Sequence, residues 1–239
     1  MSRADEAAAR PLPAASGLWA TLRAATIDFY YHSIRLVVAN LIWGAGFFVV
    51  WSLTVAGAPS FAFVLAPLLA IPWVGIVRLA AFISRGDDVV LSDAFGAYRR
   101  YFVPALAAGA AATLAVVMLG SNVLIGLESQ SPIGWAIATL AAWGLVLLGL
   151  VSIAFWPLLV DPRREGRSLL ATARLSALVV LANPVRFGGV GLVVAVVAVV
   201  ATIAAAAIAT FALAWIALVA CRVVLPLADR LDDAGVAAD

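Results

Sequence analysis

The amino-acid sequence predicts an all-α integral membrane protein, and two observations support that fold class. Apolar residues make up 65% of the 239 positions and charged residues only 12%, with a mean hydropathy of +1.11. The polar residues are too few to cover a water-soluble globule of this size. Several uncharged runs also reach the ~18 residues that a spanning helix needs, without the alternation typical of an outer-membrane β-strand.

The chain is predicted to hold one transmembrane domain over 17–230, between a disordered tail over 1–16 and a short acidic tail over 231–239. Charged residues occur before any long apolar run, and a cleavable signal peptide does not have that layout. The first spanning helix is therefore expected to act as an uncleaved insertion signal.

Long apolar segments joined by short turns predict two helical hairpins. The turns lie at 56–60 and 128–132 and contain glycine, proline or serine. Because each turn is short, the helices on either side of it are expected to be antiparallel neighbours. The four spans are predicted at 36–57, 60–84, 103–127 and 133–160.

The arginines predict the orientation of these hairpins. All fifteen basic residues are arginine, and the longer connections at 85–102 and 161–187 carry three and five of them. By the positive-inside rule, these connections and the N-terminus face the cytoplasm.

The uncharged stretch at 188–221 determines the number of spans. As one straight helix its thirty-four residues would be about 51 Å long, against a hydrocarbon core of ~30 Å. Two spans at 187–206 and 208–228 fit better, and they place every arginine and both termini in the cytoplasm. The sequence therefore favours six spans, as three hairpins. The alternative is five spans with one long kinked final helix, because the turn near 205–209 lacks glycine, proline and asparagine.

An amphipathic interfacial helix is predicted on the cytoplasmic face before each hairpin, which gives the chain a threefold pattern. The third of these helices has Arg163, Arg167 and Arg174 on one side and ends at Asn183 and Pro184. The apolar stripes of the first two are formed by Leu18, Leu22, Ala25 and Phe29, and by Leu91, Phe95, Tyr98 and Phe102.

Six arginines of the cytoplasmic connections form the candidate contact site for membrane lipids or a protein partner. Near an anionic membrane surface each contributes ~1 kcal/mol of attraction. The alternative is that they only fix the orientation of the chain. They are Arg99, Arg100, Arg163, Arg164, Arg167 and Arg174.

No catalytic residue, metal site or cofactor is predicted. The absence of lysine excludes a Walker A motif and a Schiff base. His32 and Cys221 are the only residues of their types, which leaves few partners for a metal site, a catalytic triad or a disulfide. Since no basic run exceeds two adjacent arginines, no nucleic-acid partner is predicted.

Asp87, Asp88 and Asp93 indicate one enzymatic alternative, a Mg²⁺-dependent lipid-modifying enzyme. Carboxylates at such spacing in a cytoplasmic loop can hold Mg²⁺ on a diphosphate. That chemistry needs a second acidic group, and the only candidate, 161–165 (DPRRE), contains two arginines. The other interpretation is that Asp87 or Asp88 caps the following helix.

The predicted spans place no ionisable residue at mid-membrane depth, since Arg78 and Arg222 lie near cytoplasmic ends. Coupled transporters usually need such groups at the midplane. The sequence therefore argues against a self-sufficient coupled transporter. A passive channel or facilitator is a further alternative, and it requires a polar path through the bundle.

Short motifs between about 30 and 230 give the chain a resemblance to a known family. They are NLIW at 40–43, RGDD at 85–88, DAF at 93–95, YRRYF at 98–102, WPL at 156–158 and NP at 183–184. The chain resembles the YesL-like family of small bacterial membrane proteins. That resemblance implies an inner-membrane protein of unestablished activity, encoded near genes for sugar uptake. We therefore expect a non-enzymatic accessory to carbohydrate uptake, with a sugar permease subunit as its protein partner.

Overall fold

Helices form every regular element of the residues that the structure describes, which are 17–203 and 211–235 of a computed structural model. The all-α prediction is confirmed for them. The predicted N-terminal tail, the turn near 205–209 and the end of the acidic tail lie outside them. In chain order the helices are α1 Leu18–Tyr31, α2 Ser33–Val55, α3 Pro59–Leu65, α4 Ala70–Arg85, α5 Leu91–Arg100, α6 Phe102–Glu128, α7 Pro132–Val160, α8 Leu169–Ala182, α9 Pro184–Ile203 and α10 Leu213–Asp233.

Within the described residues, five helices are long and apolar enough to cross a membrane. The chain is therefore a multi-pass membrane protein. The second of the five combines α3, the 3-10 turn Ala66–Leu69 and α4. The last helix, α10, is not among them, and it carries five charged residues. The five are Ser33–Val55, Pro59–Arg85, Phe102–Glu128, Pro132–Val160 and Pro184–Ala201.

The turn between α6 and α7 brings two predicted spans side by side. Ser131 caps α7, because its hydroxyl accepts a hydrogen bond from the Gly134 amide at 3.0 Å. Gly126 lies so close to the next helix that a β-carbon there would stand 2.4 Å from the Gly134 carbonyl oxygen. The helices therefore approach each other closely at this end because glycine is present on both.

The core of the bundle forms around α4 and α10. Apolar side chains such as Val77 and Leu79 on α4, and Leu218 and Leu225 on α10, are completely buried. The last turns of α7 and one face of α8 complete this core. The charged helix α10 is therefore surrounded by other helices of the chain.

Helix α1 forms where its apolar stripe predicted a helix, but the stripe packs against α10 and the core instead of facing only the membrane interface. Ala25 is fully buried, and Leu18, Leu22 and Phe29 pack against the core. Polar contacts fix the crossing, since the Arg222 guanidinium pairs with Asp28, and the indole nitrogen of Trp215 donates to the Thr26 hydroxyl at 3.1 Å.

Helix α5 packs against α4 through its small residues. Ala94 and Ala97 are buried, whereas Phe95 from the predicted stripe is about half exposed. The prediction that Asp87 or Asp88 caps this helix is wrong, because Val90 is the N-cap residue. Its amide donates to the carboxylate of Asp93 at 2.9 Å.

The third interfacial helix is shorter than predicted. Helix α8 begins only at Leu169, after the N-cap Ser168, and its end before Asn183 agrees with the prediction. Arg163 and Arg167 precede it, so the prediction that they share a helical face with Arg174 is wrong. The physical reason lies in the connection, where Pro162 starts a 3-10 turn and Gly166 has a φ of +91°.

Candidate functional site

The ends of α4, α7 and α10 meet at one end of the bundle and bring charged side chains together. Arg85 is the last residue of α4, Asp161 follows α7, and Asp229 and Asp232 lie in the last two turns of α10. We call this group the arginine-aspartate cluster, and its members are Arg85, Asp161, Arg163, Arg164, Arg167, Asp229 and Asp232.

Asp161 is the centre of the cluster, and its side chain is fully buried. Arg85 donates two hydrogen bonds to it in a fork, from Nε at 2.8 Å and from Nη2 at 2.6 Å. Arg164 forms a second ion pair with the same carboxylate. A buried carboxylate needs such partners, because leaving it unpaired costs several kcal/mol.

Asp229 and Asp232 connect α10 to this centre. Arg164 reaches both, with its Nη2 at 2.7 Å from Oδ1 of Asp229 and 2.6 Å from Oδ2 of Asp232. Arg85 and Arg163 also pair with Asp229, at 3.1 and 3.2 Å. The end of α10 is therefore tied to both α4 and the connection after α7.

The cluster changes the acidity of its members. Burial raises the pKa of Asp229, but the hydrogen bonds and charges of Arg85 and Arg164 outweigh it, so the net pKa is lowered. Asp229 lies one residue beyond the predicted span 208–228. Burial lowers the pKa of Arg164, but Asp161 and Asp229 reverse the effect, and its net pKa is raised. The ionised forms of both are therefore favoured.

A second, smaller group lies beside the cluster, around Glu165. Arg78 Nη2 is 2.6 Å from one oxygen of this carboxylate, and Arg100 pairs with the other. Arg78 also donates to the backbone carbonyl of Val160, which is otherwise an unsatisfied group at the end of α7. Its guanidinium carbon lies 4.3 Å from the ring centroid of Phe82, which is cation-π geometry.

Both groups contain more guanidiniums than carboxylates. The arginine-aspartate cluster has four arginines for three aspartates, and the second group has two arginines for one glutamate. Surplus positive charge at one end of the molecule attracts anions. The arrangement can therefore hold three helices together and still present arginine to an anionic partner.

The six predicted contact arginines are divided by the structure. Arg163, Arg164 and Arg167 belong to the cluster, and Arg164 is only 3% exposed, so its charge is used inside the protein. Arg100 belongs to the Glu165 group, and it is exposed like Arg99 and Arg174. The exposed part of the predicted site therefore consists of Arg99, Arg100, Arg167 and Arg174.

Sequence reasoning missed the acidic half of the cluster and Arg85. One signal could have found it, since Asp229 and Asp232 are three residues apart and share one face of a helix. Acidic residues on one face at the end of an apolar helix require cationic partners, and the neighbouring connections offer arginines.

The predicted Mg²⁺ alternative places its second acidic group at 161–165, where Asp161 and Glu165 are both bound by arginines. A carboxylate that is paired with guanidiniums is a poor ligand for a cation. Burial also raises the pKa of Asp87 despite nearby arginines, which disfavours its charged form. In the described residues, no group of three or more His, Cys, Asp or Glu side chains is arranged to hold a metal ion.

An open cleft of about 430 Å³ lies next to both charged groups. Arg100, Arg167 and Ser168 are among its polar lining residues. The lining also contains apolar side chains at the start of α6, the end of α7 and the start of α8, namely Val103, Pro104, Leu159 and Leu169. The cleft is therefore amphipathic.

The chain matches no protein-family model, no curated protein and no solved structure. The resemblance to the YesL-like family stays a prediction from short motifs. The functional argument therefore depends on the charges and contacts of this chain.

Proposed function

We propose that this chain is a non-enzymatic accessory protein of a bacterial cytoplasmic membrane that supports carbohydrate uptake. Its exposed arginines would bind a sugar permease subunit or the lipid around it. The observation that supports a binding role is the surplus of arginine over carboxylate at one end of the bundle. The link to carbohydrates comes from the family resemblance alone.

The proposal includes six spans with both termini in the cytoplasm. Its support is the position of α10, whose Asp229 and Asp232 pair with arginines of the connections predicted to be cytoplasmic. Arg186, near the start of α9, is also within electrostatic range of Arg230, near the end of α10. These contacts favour opposite directions for α9 and α10.

The composition of α10 is compatible with a sixth span. The predicted span 208–228, which includes most of α10, has 21 residues and as a helix would be about 31 Å long, enough for a hydrocarbon core of ~30 Å. Other helices surround it, so it needs no continuous apolar surface towards lipid. Its Arg222 is paired with Asp28 on α1, which lowers the cost of the charge.

The channel and the Mg²⁺ enzyme have less support. The centre of the bundle is filled by apolar side chains of α4 and α10, and Asn40 there accepts a hydrogen bond from the Ala214 amide at 3.1 Å. A polar path through the described bundle would have to cross this packed region. The enzyme would need carboxylates that arginines already bind.

The orientation is tested by a reporter fused to the C-terminus that is active on only one side of the membrane. A cytoplasmic signal is expected, equal to that of the same reporter at the N-terminus. An external signal from the C-terminal fusion would contradict six spans.

The binding role is tested by co-purification in mild detergent, with mass spectrometry of the captured proteins. We expect the wild-type chain to retain a sugar permease subunit and the double variant Arg99→Gln, Arg174→Gln to lose most of it. The matched control is Arg23→Gln, Arg35→Gln, which removes the same charge from exposed positions outside the site. Failure to capture any transporter subunit, together with normal sugar growth after gene deletion, would refute the accessory role.

A further inference from the structure

We propose that the amphipathic cleft beside the cluster binds the phosphate group of an anionic phospholipid of the cytoplasmic leaflet. The inference extends the proposed function and relies on its orientation, since the cleft must lie on the cytoplasmic side. It identifies one site and one class of lipid within the broader arginine face.

The two arginines that line the cleft can still donate hydrogen bonds to an anion. The side chains of Arg100 and Arg167 are 58% and 34% exposed, and each contacts its carboxylate through Nη2. A guanidinium has five N–H donors, so both can also donate to phosphate oxygens. Their carboxylates are shared with other arginines, Glu165 with Arg78 and Asp232 with Arg164, which leaves positive charge in excess.

The apolar residues in and beside the lining favour a lipid as the source of the anion. Val103 is 72% exposed in the first turn of α6, and Leu170, next to the lining residue Leu169, is similarly exposed. Val103 belongs to the apolar surface of a spanning helix, and Leu170 belongs to the shorter apolar helix α8. A free phosphate would gain nothing from such a wall, whereas a phospholipid can place its glycerol and upper acyl chains along it.

The depth of the cleft in the membrane agrees with a headgroup. It lies where α6 begins and α7 ends, so one side adjoins a connection and the other adjoins two spans. A span meets the headgroup layer at this kind of junction. The volume of about 430 Å³ is within the ~300–1,000 Å³ of small-ligand sites.

The test measures binding of phosphatidylglycerol to the purified full-length chain in detergent by native mass spectrometry. We expect Arg100→Gln, Arg167→Gln to weaken the affinity about twenty-five-fold, because each arginine near anionic lipid contributes a factor of about five. The control Arg23→Gln, Arg35→Gln should bind phosphatidylglycerol like the wild type. Equal loss in both double variants would overturn the cleft as the site.

A second variant distinguishes the loss of lipid binding at the cleft from a folding defect. Val103→Asp introduces a carboxylate at an exposed position in the first turn of α6, where the helix dipole favours negative charge. We expect it to keep the wild-type melting temperature and to lose phosphatidylglycerol by repulsion. Unchanged binding in this variant would contradict the proposal.

Two further measurements distinguish lipid binding from the binding of free phosphate and from the binding of a permease. Excess inorganic phosphate is expected to leave phosphatidylglycerol bound, and full displacement would instead indicate a site for free anions. Lipid binding is measured on the isolated chain, whereas the accessory role is measured by permease capture with the Arg99 and Arg174 variant. If one of the two tests fails, the result of the other can still be interpreted.

Discussion

The span Pro59–Arg85, which contains α4, and the hairpin of α6 and α7 have nearly the same hydropathy but lie in different environments. The most apolar 18-residue window of Pro59–Arg85 has a mean hydropathy of 2.2, and 33% of it is buried. The corresponding windows of Phe102–Glu128 and Pro132–Val160 have 2.1 and 2.2, and only 11% of each is buried. The least apolar long helix, α10, is among the most buried. Hydropathy therefore identifies segments that can meet lipid, but it does not tell which of them form the core of the bundle.

The largest loss of stability is expected in the arginine-aspartate cluster, where charged side chains are buried. Asp161→Asn keeps the shape of the side chain and removes the negative charge between Arg85 and Arg164, both of which are buried. We expect a loss of about 3–5 kcal/mol in the free energy of unfolding. Titration with a denaturing detergent measures it, and the exposed Asp233→Asn is the control. Equal stability of the two variants would mean that the cluster does not hold the helices together.

The next largest loss of stability is expected from a cavity in the buried helix α10, whereas the same substitution on the α6–α7 hairpin should have little effect. Leu218→Ala on α10 empties a fully buried site and is expected to cost about 2–3 kcal/mol, at the lower end for buried leucines. The cost is at the lower end because lipid is as apolar as leucine, so burying the side chain gains little from the hydrophobic effect. The substitution therefore mainly removes packing contacts. Leu140→Ala on the hairpin is the same substitution at a side chain that is 73% exposed. The same detergent titration should find almost no change there.

Two glycines of α6 give a matched pair within the hairpin. Gly126→Ala would place a β-carbon 2.4 Å from the Gly134 carbonyl oxygen, so we expect a cost of about 2 kcal/mol as the helices move apart. Gly120 has open space around it, and Gly120→Ala should stabilise by about 0.5–1 kcal/mol through helix propensity. Melting temperatures that shift in the same direction would contradict the close approach at the turn.

A moderate effect is expected at Asp229, because Arg85 and Arg164, two of its three arginine partners, keep ion pairs with Asp161 or Asp232 when it is changed. Asp229→Asn should cost about 1.5 kcal/mol near neutral pH, the loss of hydrogen bonds to a charged group. Because folding lowers the pKa of Asp229, its contribution is complete above the ordinary aspartate pKa of about 3.9 and disappears as the pH falls through the lowered value.

That pH dependence is measured by repeating the unfolding titration between neutral and strongly acidic pH. The wild type should lose stability faster than Asp229→Asn below about pH 4, so the two curves converge. Parallel curves would show that Asp229 is not held ionised by its arginines.

Particular residues show how far sequence reasoning reached. The apolar spacing of Leu18, Leu22 and Ala25 correctly predicted a helix, but the face predicted to lie in the membrane interface packs against the core of the protein. The same reasoning extended the third interfacial helix too far, because it did not weigh Pro162 and Gly166 in the connection. It also considered Arg164 as a surface residue, since sequence periodicity gives no information about contacts between segments as distant as Arg164 and Asp232.

The sequence by itself determined that this chain is a helical, multi-pass membrane protein, because the length and apolarity of a segment are local properties and a bilayer selects for them directly. It also determined where the arginines lie along the chain. Only the tertiary structure decided that α4 and α10 form the core, and that Arg85, Asp161, Asp229 and Asp232 meet. The physical reason is that ion pairs and packing join segments up to 194 positions apart, and no local pattern encodes which distant charge pairs with which.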